Sequence, residues 1–406
     1  MPTPAPTPYR ALDRRIWLLA GARAVNTAGL SLAMAFMAIY LVTERGLSGT
    51  VTGVLYAGAN LLQAVSQGLA GDVSDRIGRR VTMVAALAGR AVLVTALGIA
   101  VTANAAVWVV VALLYASWIV RGWFEPVAYA AVADVAPPDQ RVAAIGLQKI
   151  GVNLGWAVGP AAGGFLLRWF DYGAVFFFAA PIIAAAAAAV ACYRDPPRRT
   201  PARRARVRPP ALPLRVWLFL ACALVSGLVH GQLFSTFSLY VKAGVGLGED
   251  ALGALWTINA VCVLALQLPA VAAVRRAGTR VALVAGAVLY VAAFVGFGVA
   301  PGFAGLAASM IVLTAGEVVL EPAQQAMAAR LADPERMGRA MGLLGFMRMF
   351  GLAFALLVGG AAFDAFPDRP LAMWSVLAAI AAALAAGYAA FGAVTRRQAR
   401  PPEAHP

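Results

Sequence analysis

Residues 121–164 read RGWFEPVAYAAVADVAPPDQRVAAIGLQKIGVNLGWAVGPAAGG, an apolar run that contains several charged side chains. This stretch decides the fold because it occurs twice, and adding 196 to each residue number gives the second copy without a gap. The coinciding positions are Glu125-Pro126 with Glu321-Pro322, Gly146 with Gly342, Gly155 with Gly351, and Gly163-Gly164 with Gly359-Gly360. The chain is therefore a duplication, and we expect function where the copies differ.

The duplication extends toward the start of each copy with an offset of 200. The matching pairs are Tyr40 with Tyr240, Gly53 with Gly253, Gln67 with Gln267, Arg76 with Arg276, Gly78 with Gly278, and Arg80 with Arg280. The difference between the two offsets means that the second copy has lost four residues between these blocks.

The composition is that of a membrane protein. Of the 406 residues, 62% are hydrophobic and 13% are charged, and the mean hydropathy is +0.78. A water-soluble fold would have little polar surface to present at this composition. Apolar segments of roughly 20 residues, the length at which a helix crosses the bilayer, recur along the chain. Helices are therefore predicted rather than the short alternating strands of a membrane barrel.

The net charge of +15 comes from arginines in the short connections between apolar segments. This is the positive-inside pattern, which predicts that both termini are cytoplasmic and argues against a nucleic-acid partner. The three cysteines, Cys192, Cys222 and Cys262, lie in apolar segments without CxxC spacing. Neither a disulfide framework nor a metal site is expected, and no cofactor is implied.

Twelve spans are predicted, six in each copy. They cover about 16–42, 51–70, 81–101, 106–133, 142–167, 174–192, 216–241, 251–274, 281–299, 303–329, 338–362 and 371–394. The expected fold is all-α and integral to the membrane, with twelve transmembrane helices in two pseudo-symmetric six-helix bundles. The expected parts are a cytoplasmic tail (1–15), an N-terminal bundle (16–193), a basic, Pro-rich cytoplasmic linker (194–215), a C-terminal bundle (216–394) and a cytoplasmic tail (395–406).

The loop GDVSDRIGRR, residues 71–80, resembles the signature loop of the major facilitator superfamily of transporters. The matching positions are Gly71, Asp75, Arg76, Gly78, Arg79 and Arg80. Gly78 permits a tight turn, and the guanidinium groups can form bidentate pairs with carboxylates. The resemblance implies a network of Asp75, Arg79 and Asp134 that closes the cytoplasmic side. The alternative is that these charges only set the topology.

The segment GWAVGPAAGG, residues 155–164, resembles the fifth-span motif of antiporters in the same superfamily. Its fixed positions are Gly155, Gly159, Pro160, Gly163 and Gly164. Glycines at every fourth position, starting from Gly151, form a smooth strip that another helix can approach closely. The second copy has Ala355 and Leu356 where Gly159 and Pro160 stand. Generic helix packing is the alternative to an antiport role.

Charged residues within the spans are functional candidates because their burial in the bilayer is costly. Arg23 shares a face of the first span with Asn26, and Arg121 can pair with Glu125 one helical turn further on. Under the offset of 196, Arg121 corresponds to Glu317. In the superfamily the spans that carry these two residues line a central cavity, so the difference predicts a cation and an acid across that cavity.

The stretch 315–338 resembles the corresponding segment of twelve-span bacterial multidrug:proton antiporters, and Glu317 falls on their protonatable acid. The resemblance implies proton coupling through Glu317, with Arg121 and Arg23 assisting. A second acid of some members aligns with Gln148 here, so a two-acid scheme does not transfer. A structural ion pair is the alternative for Glu317. The repeated acids Glu125 and Glu321 are predicted to be structural. Their candidate ion-pair partners are Lys149 and Arg348.

Few polar groups are available to line a cavity. The predicted cavity residues are Asn26, Met37, His230, Gln232, Phe234, Phe237, Tyr240 and Trp256. The aromatic members would provide an adaptable apolar wall, although placement toward lipid is an equal alternative. The single histidine of this set is more simply explained as a core residue than as a coupling group.

Together these features predict a monomeric secondary transporter of the bacterial inner membrane. We expect it to export a small lipophilic compound in exchange for protons by alternating access. The alternatives are a proton-coupled uptake symporter, an exporter of a lipid or metabolite, and a membrane sensor or scaffold without transport. No catalytic pair of nucleophile and base is present, so an enzyme is not expected.

Overall fold

The computed structural model describes residues 9–137, 140–196, 213–300, 302–331 and 337–397. Most of the predicted linker and the outer parts of both predicted tails lie outside these ranges. The described residues form helices α1 Arg14–Thr43, α2 Gly49–Ile77, α3 Arg79–Thr102, α4 Val107–Val135, α5 Arg141–Leu167, α6 Tyr172–Ala191, α7 Leu214–Gly231, α8 Thr236–Leu239, α9 Glu249–Ala277, α10 Thr279–Val299, α11 Phe303–Leu331, α12 Met337–Ala353, α13 Ala355–Ala365 and α14 Pro370–Arg397.

The predicted all-α membrane fold is confirmed. In the described part of the chain, eleven helices or helix pairs are long and apolar enough to cross a membrane. Helix α2 coincides with the predicted second span and has 29 residues, but it is not among these eleven. Its last turns hold Asp72, Asp75 and Arg76, which lower its hydropathy.

Two predicted spans are interrupted, which the sequence did not indicate. The seventh is broken between α7 and α8, and the eleventh is broken at Phe354, between α12 and α13. The side chain of Gln232 makes hydrogen bonds at both breaks. Its Nε2 donates to the carbonyl oxygens of Leu228, at 3.2 Å, and Ala355, at 3.0 Å, while its Oε1 accepts from the Thr236 hydroxyl at 2.6 Å. The Leu228 carbonyl is one of the four that the end of α7 leaves without an intrahelical partner, and the Gln232 amide satisfies it.

The described residues fall into two compact units. Unit 1 takes them from Met1–Arg45, Ala57–Arg204 and Gly248–Ala260, and unit 2 from Gly46–Tyr56, Ala205–Leu247 and Val261–Pro406. Helix α9 therefore begins in unit 1 and continues in unit 2, whereas helix α2 begins in unit 2 and continues in unit 1. The predicted boundaries of the two six-helix bundles stay predictions.

The internal packing of the two units follows the duplication seen in the sequence. In unit 1, α1 packs against α5 and α6, and α3 packs against α4 and α6. In unit 2, α7 packs against α12 and α14, and α10 packs against α11 and α14. Corresponding helices of the two copies therefore have corresponding neighbours.

Helix α1 begins directly after Asp13, which lies outside the predicted membrane-spanning segment. The Asp13 carboxylate accepts from the backbone N–H of Arg15 at 2.8 Å, which satisfies one of the free donors of the first turn. The Arg15 side chain bonds the same carboxylate and lowers the pKa of Asp13.

The glycine strip of α5 faces α1. A Cβ atom at Gly151 would lie 2.6 Å from the carbonyl oxygen of Ala20, and one at Gly155 would lie 2.7 Å from that of Ala24. Cβ atoms at the next two glycines of the strip would also meet the α1 backbone. The close approach predicted from the glycine spacing is therefore present.

We expect Gly155→Ala to destabilise the protein, because the added methyl group would require the α1 backbone to move. Overpacking of this kind costs about 1–3 kcal/mol. Gly68→Ala in α2 is the matched control, since a Cβ there meets nothing within 4 Å. Thermal unfolding of the purified protein in detergent should show a lower midpoint for Gly155→Ala and an equal or higher one for Gly68→Ala. Equal midpoints for the two variants would contradict the packing argument.

Candidate functional site

The loop between α2 and α3 is organised around Arg79. Gly78 has a φ of +106°, a backbone conformation that glycine adopts without strain. The Nη1 atom of Arg79 lies 2.6 Å from Oδ1 of Asp75, and its Nε lies 3.1 Å from Oδ2 of Asp134. Arg79 also donates to the Ser74 hydroxyl. The structure thus brings the three predicted network residues together within unit 1, and their role as a gate stays a prediction.

Asp195 is part of the same loop structure, although sequence reasoning placed it in the linker. Its carboxylate accepts from the backbone N–H of Arg80 at 3.1 Å and so caps the start of α3. The capping residue lies 115 positions from the helix it caps. Capping signals are recognised from residues next to a helix start, so nothing in the local sequence indicated this contact.

Two further contacts are related by the repeat: one joins the end of α5 to the start of α9, and the other joins the end of α13 to the start of α2. Arg168 and Asp364 correspond under the offset of 196, and Thr50 and Asp250 correspond under the offset of 200. In unit 1, Arg168 pairs with Asp250 at 3.7 Å. In unit 2, Asp364 accepts from the backbone N–H groups of Gly49, at 2.9 Å, and Thr50, at 2.7 Å. The equivalent positions therefore form an ion pair in unit 1 and helix-capping hydrogen bonds in unit 2.

Glycine contacts accompany both of these polar contacts. A Cβ atom at Gly164 would lie 2.9 Å from the Cα of Gly253, and one at Gly49 would lie 2.9 Å from the carbonyl oxygen of Gly360. Gly164 and Gly360 are repeat equivalents. In each unit the end of the fifth helix of one copy thus crosses the start of the second helix of the other copy at backbone contact.

Unit 2 contains a small acidic cavity. Its lining residues are Ser226, His230, Tyr290, Glu317, Leu320, Glu321, Gln324 and Arg348. Its volume is about 10 Å³, roughly the room that a single water molecule needs. Sites for drug-sized molecules enclose about 300–1,000 Å³. The cavity is therefore too small for a bulky compound.

Hydrogen bonds and an ion pair connect the groups of this acidic cavity. Nη1 of Arg348 lies 3.2 Å from Oε1 of Glu321, which is the pairing predicted for these two residues. Nδ1 of His230 lies 3.0 Å from the Tyr290 hydroxyl. Glu317 lies one helical turn before Glu321 on α11 and lines the same space. A carboxyl group and an imidazole, both able to take up a proton, therefore share one cavity.

Unit 1 contains a cluster of opposite sign, which we call the arginine cluster: Arg23 of α1, Arg90 of α3 and Arg121 of α4. All three guanidinium groups act electrostatically on the carboxylate of Glu125. Nε of Arg121 lies 3.6 Å from Oε1 of Glu125, as their spacing predicted. The prediction that Lys149 pairs with a repeated acid stays a prediction.

Sequence reasoning missed Arg90. It interrupts the apolar third span, where a single charged residue is itself a sign of function. No motif or repeat partner drew attention to it, because the equivalent position of the second copy is Tyr290. The structure shows that Arg90 and Tyr290 both belong to the charged group of their own unit.

The predicted cavity residues divide into two groups. Six are almost fully buried: Asn26, Met37, Gln232, Phe237, Tyr240 and Trp256. Gln232 makes hydrogen bonds at the breaks in α7 and α12–α13, and its cavity role stays a prediction. His230 and Phe234 are half-buried and contact each other edge to face, with ring centroids 5.2 Å apart. Asn26 lies three residues after Arg23 on α1, and its cavity role stays a prediction.

Comparison with known proteins identifies relatives of the whole chain. The sequence matches the Major Facilitator Superfamily over residues 19–248 and 219–406. The uncharacterized MFS-type transporter YqjV of Bacillus subtilis (strain 168) is 27% identical over 369 residues, which cover 86% of this chain and 87% of YqjV. The quinolone resistance protein NorA of Staphylococcus aureus (strain MSSA476) is 23% identical over 350 residues, 85% of this chain and 89% of NorA.

A solved structure shares the fold. A bacterial homologue of the human lysosomal transporter Spinster, in an inward-facing and occupied conformation, aligns with a TM-score of 0.75 at 15% identity. The alignment covers 98% of this chain and 100% of the homologue. The matched family and this neighbour are membrane transporters and not enzymes, in agreement with the prediction.

We expect Asp364→Ala to destabilise the protein by about 1 kcal/mol, the usual cost of losing a helix cap. The substitution leaves the N–H groups of Gly49 and Thr50 without the carboxylate that now accepts from them. Asp368→Ala removes the same charge from an exposed position four residues on and serves as the control. Chemical unfolding monitored by tryptophan fluorescence measures both variants. An Asp368→Ala variant as unstable as Asp364→Ala would show that charge, and not capping, is responsible.

Proposed function

Because the chain belongs to the major facilitator superfamily, we propose that it is a transporter that exports small lipophilic compounds in exchange for protons. It is a multi-pass membrane protein, and the proposal places it in the bacterial cytoplasmic membrane with both termini in the cytoplasm. The position of the arginines in the short connections supports this orientation.

The acidic cavity of unit 2 is the observation that carries the proton coupling. The charged form of a carboxyl group is costly in an apolar interior and is stabilised when water reaches it. A change in access to the cavity can therefore make Glu317 release or take up a proton. Arg348 bonds Glu321 in the same cavity, and the proposal gives the coupling role to Glu317 because it falls on the protonatable acid of the antiporters that residues 315–338 resemble.

The direction of transport is proposed from the relatives and the glycine motif. NorA, which the chain resembles over most of its length, is described as a quinolone resistance protein. The complete fifth-span motif occurs in the first copy and resembles that of antiporters. An uptake symporter or an exporter of a lipid or metabolite remains the alternative, and the sign of coupled flux separates these functions.

The gate is proposed to be the Arg79 network. Arg79 bridges the ends of α2 and α4 through two carboxylates, so breaking it frees the loop on the predicted cytoplasmic side. Such partly exposed pairs contribute little stability individually, which suits a contact that must open in every transport cycle.

We expect Glu317→Gln to abolish quinolone transport driven by a pH gradient, because the amide has the shape of the acid but cannot carry the proton. Exchange of labelled against unlabelled quinolone without a gradient should continue in the same proteoliposomes. Glu321→Gln is the comparison, because it weakens a half-buried ion pair. It should lower both activities, and it should lower stability by less than the loss of about 3–5 kcal/mol that breaking a fully buried pair causes. Gradient-driven transport by Glu317→Gln would overturn the coupling role, and uptake in the same direction as protons would favour the symporter.

We expect Asp75→Asn to slow turnover and to change the distances between spin labels at positions 77 and 277, because Arg79 loses one of its two carboxylates. Asp72→Asn removes the same charge from an exposed position one turn earlier on α2 and should leave both quantities unchanged. The measurement requires prior replacement of Cys192, Cys222 and Cys262. Identical distance distributions and turnover in Asp75→Asn and the unsubstituted protein would count against the gate.

A further inference from the structure

Within the described residues of unit 1, the arginine cluster places three positive charges around the single carboxylate of Glu125. Arg23 is 5% exposed and Arg90 is 1% exposed, so neither guanidinium group reaches bulk water. The carboxylate of Glu125, on which all three arginines act, carries a single negative charge. Because a guanidinium group keeps its charge in proteins, the imbalance cannot be relieved by loss of a proton.

Some hydrogen-bond donors of the arginine cluster have no acceptor among the described residues. Within the part of the chain that the structure describes, Nη1 of Arg23 and both Nε and Nη2 of Arg90 lack a hydrogen-bond partner. Buried donors are bonded in the great majority of cases, and a buried charged donor without an acceptor is especially costly. The cluster therefore offers donors and positive charge at one place.

Aromatic rings hold two of the arginines without using their N–H groups. The guanidinium carbon of Arg23 lies 4.1 Å from the ring centroid of Tyr129, and that of Arg121 lies 5.7 Å from the ring of Trp118. A guanidinium group stacked on a ring keeps the donors along its edge available for a bidentate contact. Stacking thus orients the guanidinium groups of Arg23 and Arg121, and Tyr129, which is 39% exposed, adds apolar surface beside Arg23.

We infer that the arginine cluster is a binding site for an oxyanion group, the carboxylate or phosphate of an amphipathic organic anion. The inference deepens the proposed export function, on which it rests for the assumption that the bound compound is transported. It assigns the substrate to organic anions with an aromatic or otherwise apolar body. A membrane lipid headgroup offers the same oxyanion chemistry, so the test must separate the two sources.

The test measures binding to the full-length protein in phosphatidylcholine nanodiscs without a proton gradient. The probes are 2-naphthoate, its neutral isostere 2-naphthamide, and 2-naphthylmethylamine, which is a cation. We expect naphthoate to bind at least about tenfold more tightly than the other two, the advantage of a charge-assisted bidentate contact. Equal affinity for the anion and the amide would overturn the inference.

Substitutions in the arginine cluster test whether naphthoate binds there. Arg90→Gln should weaken naphthoate binding at least about tenfold, because it removes donors that no other group replaces, whereas Arg90→Lys should retain part of the affinity. Arg275→Gln, the same change at an exposed position of α9, should bind as the unsubstituted protein does. If Arg90→Gln does not yield a monodisperse protein, Arg23→Gln takes its place. A folded Arg90→Gln or Arg23→Gln variant with unchanged affinity for naphthoate would contradict the site.

A second set of nanodiscs, which contain phosphatidylglycerol, separates the two sources of the anion. Unchanged naphthoate affinity in these discs supports a substrate site. Competition by phosphatidylglycerol that disappears in Arg90→Gln would assign the site to a lipid headgroup and overturn the substrate assignment. Because binding is measured without a gradient, failure of proton coupling in Glu317→Gln experiments leaves this result intact, and failure of anion binding leaves the coupling result intact.

Discussion

A charge buried in an apolar helix bundle must be balanced by groups of the protein itself, because hydrocarbon cannot solvate it. The two copies of the duplicated sequence meet this constraint with opposite signs. Among the described residues, unit 1 places three arginines around the carboxylate of Glu125, and unit 2 places Glu317 and Glu321 beside Arg348. The helices that carry these charges must be held closely, since small displacements would leave buried charges without their partners.

Glycine contacts provide this close packing. Gly155 lets α5 approach the backbone of α1, which carries Arg23, and its repeat equivalent Gly351 lets α12 approach the backbone of α7, which carries His230. Where the first copy has Pro160 within a continuous α5, the second copy has Leu356 next to a helix break at Phe354. The amide of Gln232 stabilises that break. The same close approach of two helices is thus maintained by different local chemistry in the two copies.

The sequence predicted the parts of the structure that depend on local or repeated signals. Apolar length predicted the helices, glycine spacing predicted the α1–α5 contact, and one-turn spacing predicted the pair of Arg121 with Glu125. Contacts between distant residues left no such signal. Asp195 caps α3 and Asp364 caps α2 from 115 and 315 positions away, so only the folded chain brings each cap to its helix. Arg90 was visible as a charge within a span, but its neighbours were not.

The difference in chemistry between the two charged clusters follows from what each type of side chain can do. A guanidinium group stays charged throughout the physiological pH range, so the arginine cluster presents the same potential at every stage of a transport cycle. Carboxyl and imidazole groups can change charge when their access to water changes. A duplicated scaffold can therefore keep a permanent charge in one copy for a ligand and a variable charge in the other copy for a proton. Arg121 and Glu317 stand at the same repeat position, and the helices around both have corresponding neighbours in the two units, so the two copies differ there in side-chain charge and not in helix arrangement.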